Sequence, residues 1–298
     1  MRILVLGATG FLGRHTAERL RALQGVRLLV GGRSAAADIP LDLTAEPAAL
    51  ADALHAAAPD VVVNCAGLVA GSVVRMADVN TRGPAALCEA LREAAPGARL
   101  VHLGSAGEYA PSGPGVRLDE SAPAAPLSPY GATKLAGTVA VGASGLDTVV
   151  LRVFNPVGPG APAAGLPGRF AAELLRAGNG GTVRVGDLSA HRDFVDARDV
   201  ARAAVLAATA KGPLPPVLNI GSGSATEVRA IAQGLLRASG LDCRIEESSA
   251  VGSARSAAVS WQCADPSAAR AALGWEPRHP LAESLDDLWA DCTATASP

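Results

Sequence analysis

Aromatic side chains are scarce in this 298-residue chain, at 3% of residues, although 49% are hydrophobic. With so few large rings, the core has to be assembled from Ala, Val and Leu, which suits helices packed on a buried sheet. Neither sign of charge dominates: 26 Lys and Arg face 28 Asp and Glu, a formal net charge of -2, and no basic run stands out. Nucleic acid is therefore not an expected partner. Cysteine is limited to Cys65, Cys88, Cys243, Cys263 and Cys292. None forms a C-x-x-C pair and the count is odd, which argues against a disulfide framework and for small buried residues in a reducing cytoplasm. The five histidines (15, 55, 102, 191 and 279) are scattered without zinc spacing, so no metal site is expected. The longest uncharged stretches, such as Val153 to Gly168, are rich in Gly and Pro and cannot form a membrane-spanning helix. The N-terminal residues go straight into a strand pattern, with no signal-peptide pattern.

What remains is a regular alternation. Apolar runs "RILVLG" (2–7), "VRLLV" (26–30), "DVVVNCA" (60–66) and "ARLVHLG" (98–104) are separated by segments with helical spacing over 11–23, 48–58 and 77–95. A helix follows at Tyr130, then the run "DTVVLRV" (147–153). Continuous apolar strands separated by helices predict a parallel sheet covered on both faces, a Rossmann-like doubly wound α/β fold. After Phe154 the pattern loosens: a Gly/Pro-rich loop (155–168), a helix over 169–177, a strand near 182–185, a helix over 197–210, the strand "PVLNI" (216–220) and a helix over 225–238. The chain is long enough for one large domain or two intimate ones. We expect a dinucleotide-binding domain over 1–153 plus about 192–221. A smaller C-terminal substrate lobe is expected over about 154–191 and 222–298.

"LVLGATGFLG" places Gly7, Gly10 and Gly13 at the junction of the first strand and first helix. The first glycine permits a tight turn, the second lets backbone approach a pyrophosphate, and the third lets helix pack on strand. The helix N-terminus adds amide donors and a favourable dipole. The spacing is G-x-x-G-x-x-G, and its strand–helix context is what gives it weight. An NAD site usually carries an acid about 20 residues later, on the ribose 2′-hydroxyl. Here the second strand ends "VGGRS", without a carboxylate. Gly31 and Gly32 leave room, and Arg33 is either a solvated loop arginine or a partner for a 2′-phosphate. The pattern favours NADPH, with NAD possible.

One of the chain's two tyrosines, Tyr130, lies in "LSPYGATKLAG", with Lys134 four residues on. Ser128 suits an N-cap and Pro129 the first helical position, which puts Tyr130 and Lys134 on one helix face. An adjacent ammonium favours the phenolate and lowers a tyrosine pKa, so the phenol can give a proton to a carbonyl oxygen or take one back. Ser105 follows the fourth apolar run, at the strand end where open α/β sheets bind ligands, and its hydroxyl can bond the same oxygen.

This ordered set resembles the extended short-chain dehydrogenase/reductases, the family of nucleotide-sugar epimerases, dehydratases and ketoreductases. The resemblance covers nearly the whole chain and includes "DVNTRG" (78–83), "RVFNPVGPG" (152–160), "HRDFVDARDVARA" (191–203), "LNIGSG" (218–223) and "LGWEP" (273–277). "GSAGEY", "SPYGATK" and "RDFVDARDV" most resemble GDP-4-keto-6-deoxy-mannose reductases. The resemblance implies that Ser105, Tyr130 and Lys134 are catalytic, with Lys134 also on the nicotinamide ribose. It implies cofactor contacts from Thr9, Phe11 and Leu12 beside the glycines, from Asp42 and Leu43, and from Cys65, Ala66 and Gly67. Asn80, Phe154, Asn155 and Val157 complete that set. Asn155, Arg192 and Arg255 fall where the family grips substrate. The plainer readings are that Asn155 caps a turn and that Arg192 pairs with Asp193 or Asp196.

Similar sugar 4,6-dehydratases carry an Asp-Glu or Ser-Glu pair at the positions of Ala106 and Gly107, and 3,5-epimerase/reductases a cysteine at Gly107. Neither is present, and Glu108 is displaced and should point elsewhere. Ketone reduction and C4 epimerisation remain; a dissociable NADPH implies reduction of a nucleotide-linked 4-keto-6-deoxy sugar. The segment 66–80 is shorter than in the resembled reductases, so a secondary-metabolite ketone stays open as substrate. So does a serine contact from Ser72. A non-enzymatic NADP sensor is least expected, since the serine, tyrosine and lysine are all retained. A homodimer through the helices before and at Tyr130 is expected by analogy.

Overall fold

A computed structural model of the chain describes residues 1–248 and 259–296. Seven parallel strands form the main sheet, in the order β10-β6-β5-β4-β1-β2-β3. They are β1 (Arg2–Leu6), β2 (Arg27–Gly32), β3 (Ile39–Pro40), β4 (Val61–Asn64), β5 (Arg99–Ser105), β6 (Thr148–Val153) and β10 (Val217–Ile220). The two-residue β3 is invisible as an apolar run. It extends the sheet edge by pairing with Gly31 and Gly32 of β2. Strand order reverses beside β1, between β2 and β4, which makes the C-terminal end of β1 the switch point where open sheets bind ligands.

The apolar runs are continuous because both faces are covered. Ile3 and Val5 of β1 point into one core with Val61, Val63, Val101 and Leu151, against α1 (Phe11–Arg21) and α7 (Ala197–Thr209). Leu4 and Leu6 point into the other with Val62, Leu100 and Val150, against α2 (Pro47–Ala57) and α4 (Gly83–Ala94). The helix before the site is compound: α3 (Val73–Ala77) runs through a π-turn at Asp78–Arg82 into α4. Such turns widen a helix by one residue and often mark functional positions. α5 (Pro129–Gly142) starts with Ser128 Oγ accepting from the Gly131 amide at 3.1 Å and Pro129 in its first turn.

Past β6 the chain builds a second body. Its three-stranded sheet, ordered β11-β9-β7, contains β7 (Asn155–Val157), β9 (His191–Asp196) and β11 (Ala225–Glu227). A two-stranded sheet joins β8 (Thr182–Val185) to β12 (Arg244–Glu247). Helices α6 (Leu166–Ala177), α8 (Val228–Ser239) and a C-terminal α10 (Leu281–Ala296) enclose a third core of Val157, Phe170, Leu174, Ile231, Leu235 and Leu288. Residues 225–227, read above as a helix start, are extended because they pair antiparallel with β9. Between β9 and the main sheet the chain runs through α7 and into β10, the strand at the sheet's far edge. Trp275, completely buried beyond α9 (Ser267–Leu273), donates its indole N–H to the carbonyl of Asp199. Asp193 ties three segments together: its carboxylate accepts from the Ser222 and Gly223 amides, the Ser222 hydroxyl and the Ala264 amide, at 2.7 to 3.0 Å. No helix among the described residues is long and apolar enough to cross a membrane.

Candidate active site

The loops after β1, β4 and β5 converge at the C-terminal edge of the sheet. Gly7 has φ +76°, and a Cβ there would lie 2.7 Å from the Ala66 amide nitrogen, so the first and second of these loops touch backbone to backbone. A Cβ on Gly13 would lie 2.0 Å from the Gly7 carbonyl oxygen. The first bond of α1 runs from Arg14 N to Gly10 O. The amides of Phe11, Leu12 and Gly13 therefore stand ahead of the helix ladder, and no acidic side chain caps them. This is an anion cradle of the kind a pyrophosphate fills. Thr9 and Gly10 are exposed on its rim.

A cleft of about 390 Å³ opens at the ends of β2 and β3, walled by Gly32, Arg33, Leu41, Asp42, Ala45 and Leu50. Gly32 faces open space, whereas the face of Gly31 is filled by Leu4 and Leu6, so only one of the two glycines makes room. Arg33 is exposed at the rim. Bonds from the Thr44 amide and hydroxyl hold the Asp42 carboxylate below its usual range, with the amide bond the larger cause. The charges of Arg33 and Arg75 act in the same direction. Leu43 is buried against the missing side chain of Gly83. The donor set of glycine cradle, open cleft and rim arginine fits a phosphorylated dinucleotide.

Lys134 is buried, and its Nζ donates to the carbonyl of Leu103 at 2.6 Å. Burial pulls its pKa down to about 8, opposed by the charge of Glu108. Burial pushes the Cys65 thiol up to about 12, so it stays protonated. A Cβ on Gly67 would lie 3.9 Å from Lys134 Nζ and 3.5 Å from Asn80 Oδ1, which puts the open edge of the β4 loop beside the lysine. Asn80 sits in the π-turn, nearly fully buried. It exchanges two 2.8 Å bonds with the backbone of Leu68 and donates to Thr133 Oγ1. Thr81 donates to the Thr133 carbonyl. The π-turn thus grips the turn of α5 that carries Tyr130. A Cβ on Gly137 would lie 2.1 Å from the Asn80 carbonyl, so the two helices meet at backbone contact there.

Ser105 ends β5, and its Oγ accepts from the Gly107 amide at 3.1 Å, leaving the O–H to donate. A Cβ at Gly107 would lie 3.3 Å from Ser105 Oγ and 3.6 Å from the Tyr130 ring. The serine and the tyrosine therefore flank one glycine, and a side chain at 107 would stand between them. Ser105, Tyr130, Lys134, Gly67 and Asn80 are brought together.

The remaining candidates sit differently. Phe154 and Val157 are completely buried, Phe154 against Tyr109 with ring centroids 6.3 Å apart, and they offer only backbone to a ligand. Asn155 donates to the Asp193 carbonyl and bridges β7 to β9. Arg192 pairs with neither Asp193 nor Asp196, which are taken by Ser222 and by Arg198 and Ser284; it donates to the carbonyls of His191 and Val259. Ser72 caps α3 through the Arg75 amide. Arg255 lies outside the described residues. The loop after β7 is pinned: His15 Nε2 bonds the Pro159 carbonyl, and the Gly160 amide donates to Asp291. Sequence reasoning passed over Arg152 and Gln262, and treated Glu108 only as displaced. The S-x-x-E spacing of Ser105 and Glu108 is a capping-box signal that could have singled out the glutamate.

Residues 3–221 match the model of the NAD dependent epimerase/dehydratase family. The chain is 39% identical over 303 residues to a dTDP-6-deoxy-L-talose 4-dehydrogenase (NAD(P)(+)) of Kitasatospora kifunensis, covering 97% of this chain and 94% of that protein. It is 27% identical over 247 residues to a GDP-6-deoxy-D-mannose reductase of Pseudomonas aeruginosa, covering 78% of each. Among solved structures, MoeE5 in complex with UDP-glucose and NAD superposes with a TM-score of 0.87, at 29% identity and 100% coverage of both chains.

Proposed function

We propose that this chain, which belongs to the NAD dependent epimerase/dehydratase family, is an NADPH-dependent ketoreductase of a nucleotide-linked 4-keto-6-deoxy sugar. At the coarser level it is an NAD(P)-dependent oxidoreductase acting on nucleotide sugars. The observation that carries the finer reading is the emptiness at Gly107. The catalytic serine and tyrosine have no carboxyl between them to drive an elimination, and Glu108 is turned into the core. What this set supports is transfer at a single carbon. The name of the 39% identical relative denotes such chemistry at C4 of a 6-deoxy sugar, and its reverse is reduction of the 4-ketone.

When bound, a reduced nicotinamide supplies a hydride to the carbonyl carbon. The cradle at Gly7 to Gly13 holds the pyrophosphate through backbone amides, and Arg33 meets the 2′-phosphate. Ser105 donates a hydrogen bond to the carbonyl oxygen. Tyr130 delivers the proton that completes the alcohol. Lys134 favours release of that proton through its charge, and it holds the ribose.

Purified protein is expected to oxidise NADPH when given a dTDP- or GDP-linked 4-keto-6-deoxy sugar, followed by absorbance of the reduced nicotinamide. Tight NADPH binding without turnover would redirect the reading to a ketone of another class. The second reading is C4 epimerisation, favoured by the bound NAD of the superposed MoeE5 structure; protein that purifies with NAD in place would bring it forward. Arg33→Asp is expected to lower the NADPH-over-NADH preference about 10- to 100-fold, the worth of one charged hydrogen bond. An unchanged ratio of the two kcat/KM values would remove Arg33 from the phosphate site.

This reading includes a homodimer and a cytoplasmic setting, the latter to be checked by cell fractionation. Val73 and Val74 on α3 and Val139 on α5 are 53%, 70% and 59% exposed, on two helices that pack together. Val74→Asp with Val139→Asp is expected to convert dimer to monomer in sedimentation velocity. A wild-type monomer would sink the idea.

A further inference from the structure

The turn that carries Ser105 is held by a group that the reaction scheme does not use. Glu108 is completely buried. Its Oε1 accepts from the Ser105 amide at 2.7 Å, and its Oε2 accepts from Arg152 Nε at 2.8 Å. Arg152 is itself buried, its guanidinium 4.5 Å from the centroid of the Tyr109 ring, and the Tyr109 hydroxyl donates to Asn219. Gly104 leaves the space: a Cβ there would lie 2.8 Å from Glu108 Oε1 and 2.8 Å from Val150 Cγ1. On the other side Gln262 Nε2 donates to the Ala106 carbonyl at 2.9 Å. Every residue from Ser105 to Glu108 is thus fixed by a named partner. A buried ion pair is a poor source of stability, because desolvation offsets its attraction, so this one calls for a different account.

The neighbouring cation supplies it. Lys134 donates to Leu103, two residues before Ser105 on the same strand. The titratable groups that interact with it are Glu108 after β5, His102 on β5 and Cys65 after β4; Arg152 on β6 stands behind Glu108, and Tyr130 lies four residues before it on its own helix. Burial, and then the lysine charge, hold His102 well below the ordinary imidazole range, so it is neutral. Cys65 stays a thiol. Glu108 and Lys134 therefore hold backbone groups two residues apart on β5, and the glutamate charge opposes the fall in the lysine pKa that burial causes.

We propose that Glu108 is a positioning residue of this site: clamped between the Ser105 amide and Arg152, its carboxylate fixes the serine turn and supplies the buried negative charge that keeps Lys134 an ammonium. The kinetic part of this inference rests on the reductase reading; the charge part does not. An ammonium favoured by Glu108 is present below its pKa and lost as pH rises through it, so loss of the carboxylate moves that boundary to lower pH.

The chain contains only two lysines, Lys134 and Lys211. Protein labelled with ε-¹³C lysine therefore gives two side-chain signals, which Lys211→Arg assigns. In Glu108→Gln, which keeps the shape but not the charge, the Lys134 titration is expected to move down by about one pH unit. The alkaline limb of kcat is expected to follow it. In Glu108→Asp, which keeps the charge but withdraws it from the Ser105 amide, the titration stays at its wild-type position. Its kcat falls about 10-fold at unchanged KM, as a misplaced catalytic group predicts. A Lys134 titration in Glu108→Gln that superimposes on wild type overturns the proposal. So does a Glu108→Asp enzyme whose lysine shifts or whose kcat is unaltered; this arm decides alone if Glu108→Gln does not fold. A lower melting temperature with titration and kcat unmoved would mean a merely structural ion pair. If the wild type turns over no keto sugar, the reductase reading fails, while the lysine titration still decides the role of Glu108.

Discussion

Tyr130→Phe is expected to lower kcat by about 10²- to 10⁴-fold, the usual worth of a positioned general acid, and to leave NADPH affinity nearly unchanged. The reason is local. The substitution removes one oxygen from a ring that lies against Gly107, and the helix that carries the ring is fixed by other residues. Ser128 caps it, Thr81 and Asn80 bind Thr133, and Lys134 is anchored on Leu103. That frame is built from Ser128, Asn80, Thr81, Thr133 and Lys134, which the substitution leaves in place. The rate loss should therefore appear in kcat and kcat/KM alike, the signature of an interaction made in the transition state. Stopped-flow reduction together with calorimetric titration of NADPH separates the two quantities. Full activity in the phenylalanine variant would remove Tyr130 from the proton-transfer role.

Gly13→Ala should act at the other end of the site and on the other quantity. The added Cβ would stand 2.0 Å from the Gly7 carbonyl oxygen, with the Gly7 carbonyl carbon at 2.7 Å. Both are backbone atoms, and Gly7 is itself wedged against Ala66. The loop can yield only by lifting α1 from β1 and spreading the amides of residues 11 to 13. Overpacking of this kind costs about 1–3 kcal/mol. If most of it falls on the dinucleotide site, NADPH binding weakens by about two orders of magnitude, or ~3 kcal/mol. Calorimetry reads this directly, and a wild-type Kd would mean that the cradle does not hold the cofactor. Gly10→Ala is the internal contrast, because its Cβ would meet only the Gly7 carbonyl oxygen, at 3.3 Å.

Much of this was legible before any coordinates. The β–α alternation, the glycine loop and the pairing of Tyr130 with Lys134 are local patterns, since each depends on residues within one helix turn or one strand–helix junction. Ser128 and Pro129 start α5 for the same reason. The two-residue β3 was not legible, because it is a short edge strand with no apolar run of its own. The π-turn at Asp78–Arg82 was also hidden, since helical periodicity does not register one extra residue in a turn. Arg192 could be read as pairing with the aspartates beside it in sequence, but β9 alternates its side chains, and Asp193 turns inward to Ser222, Gly223 and Ala264.

The sequence by itself determined the fold class and singled out the glycine loop and the serine, tyrosine and lysine as candidates, because these follow from short-range spacing that physics reads in one element at a time. The tertiary structure alone decided what stands around them. Glu108 meets Arg152 across 44 residues and Gln262 reaches Ala106 across 156. Asn80 closes on Leu68 and Thr133 through a distorted helix. Whether a buried carboxylate is an idle core residue or the counter-charge of a buried lysine depends on distance and desolvation, and neither exists until the sheet has brought the strand ends together.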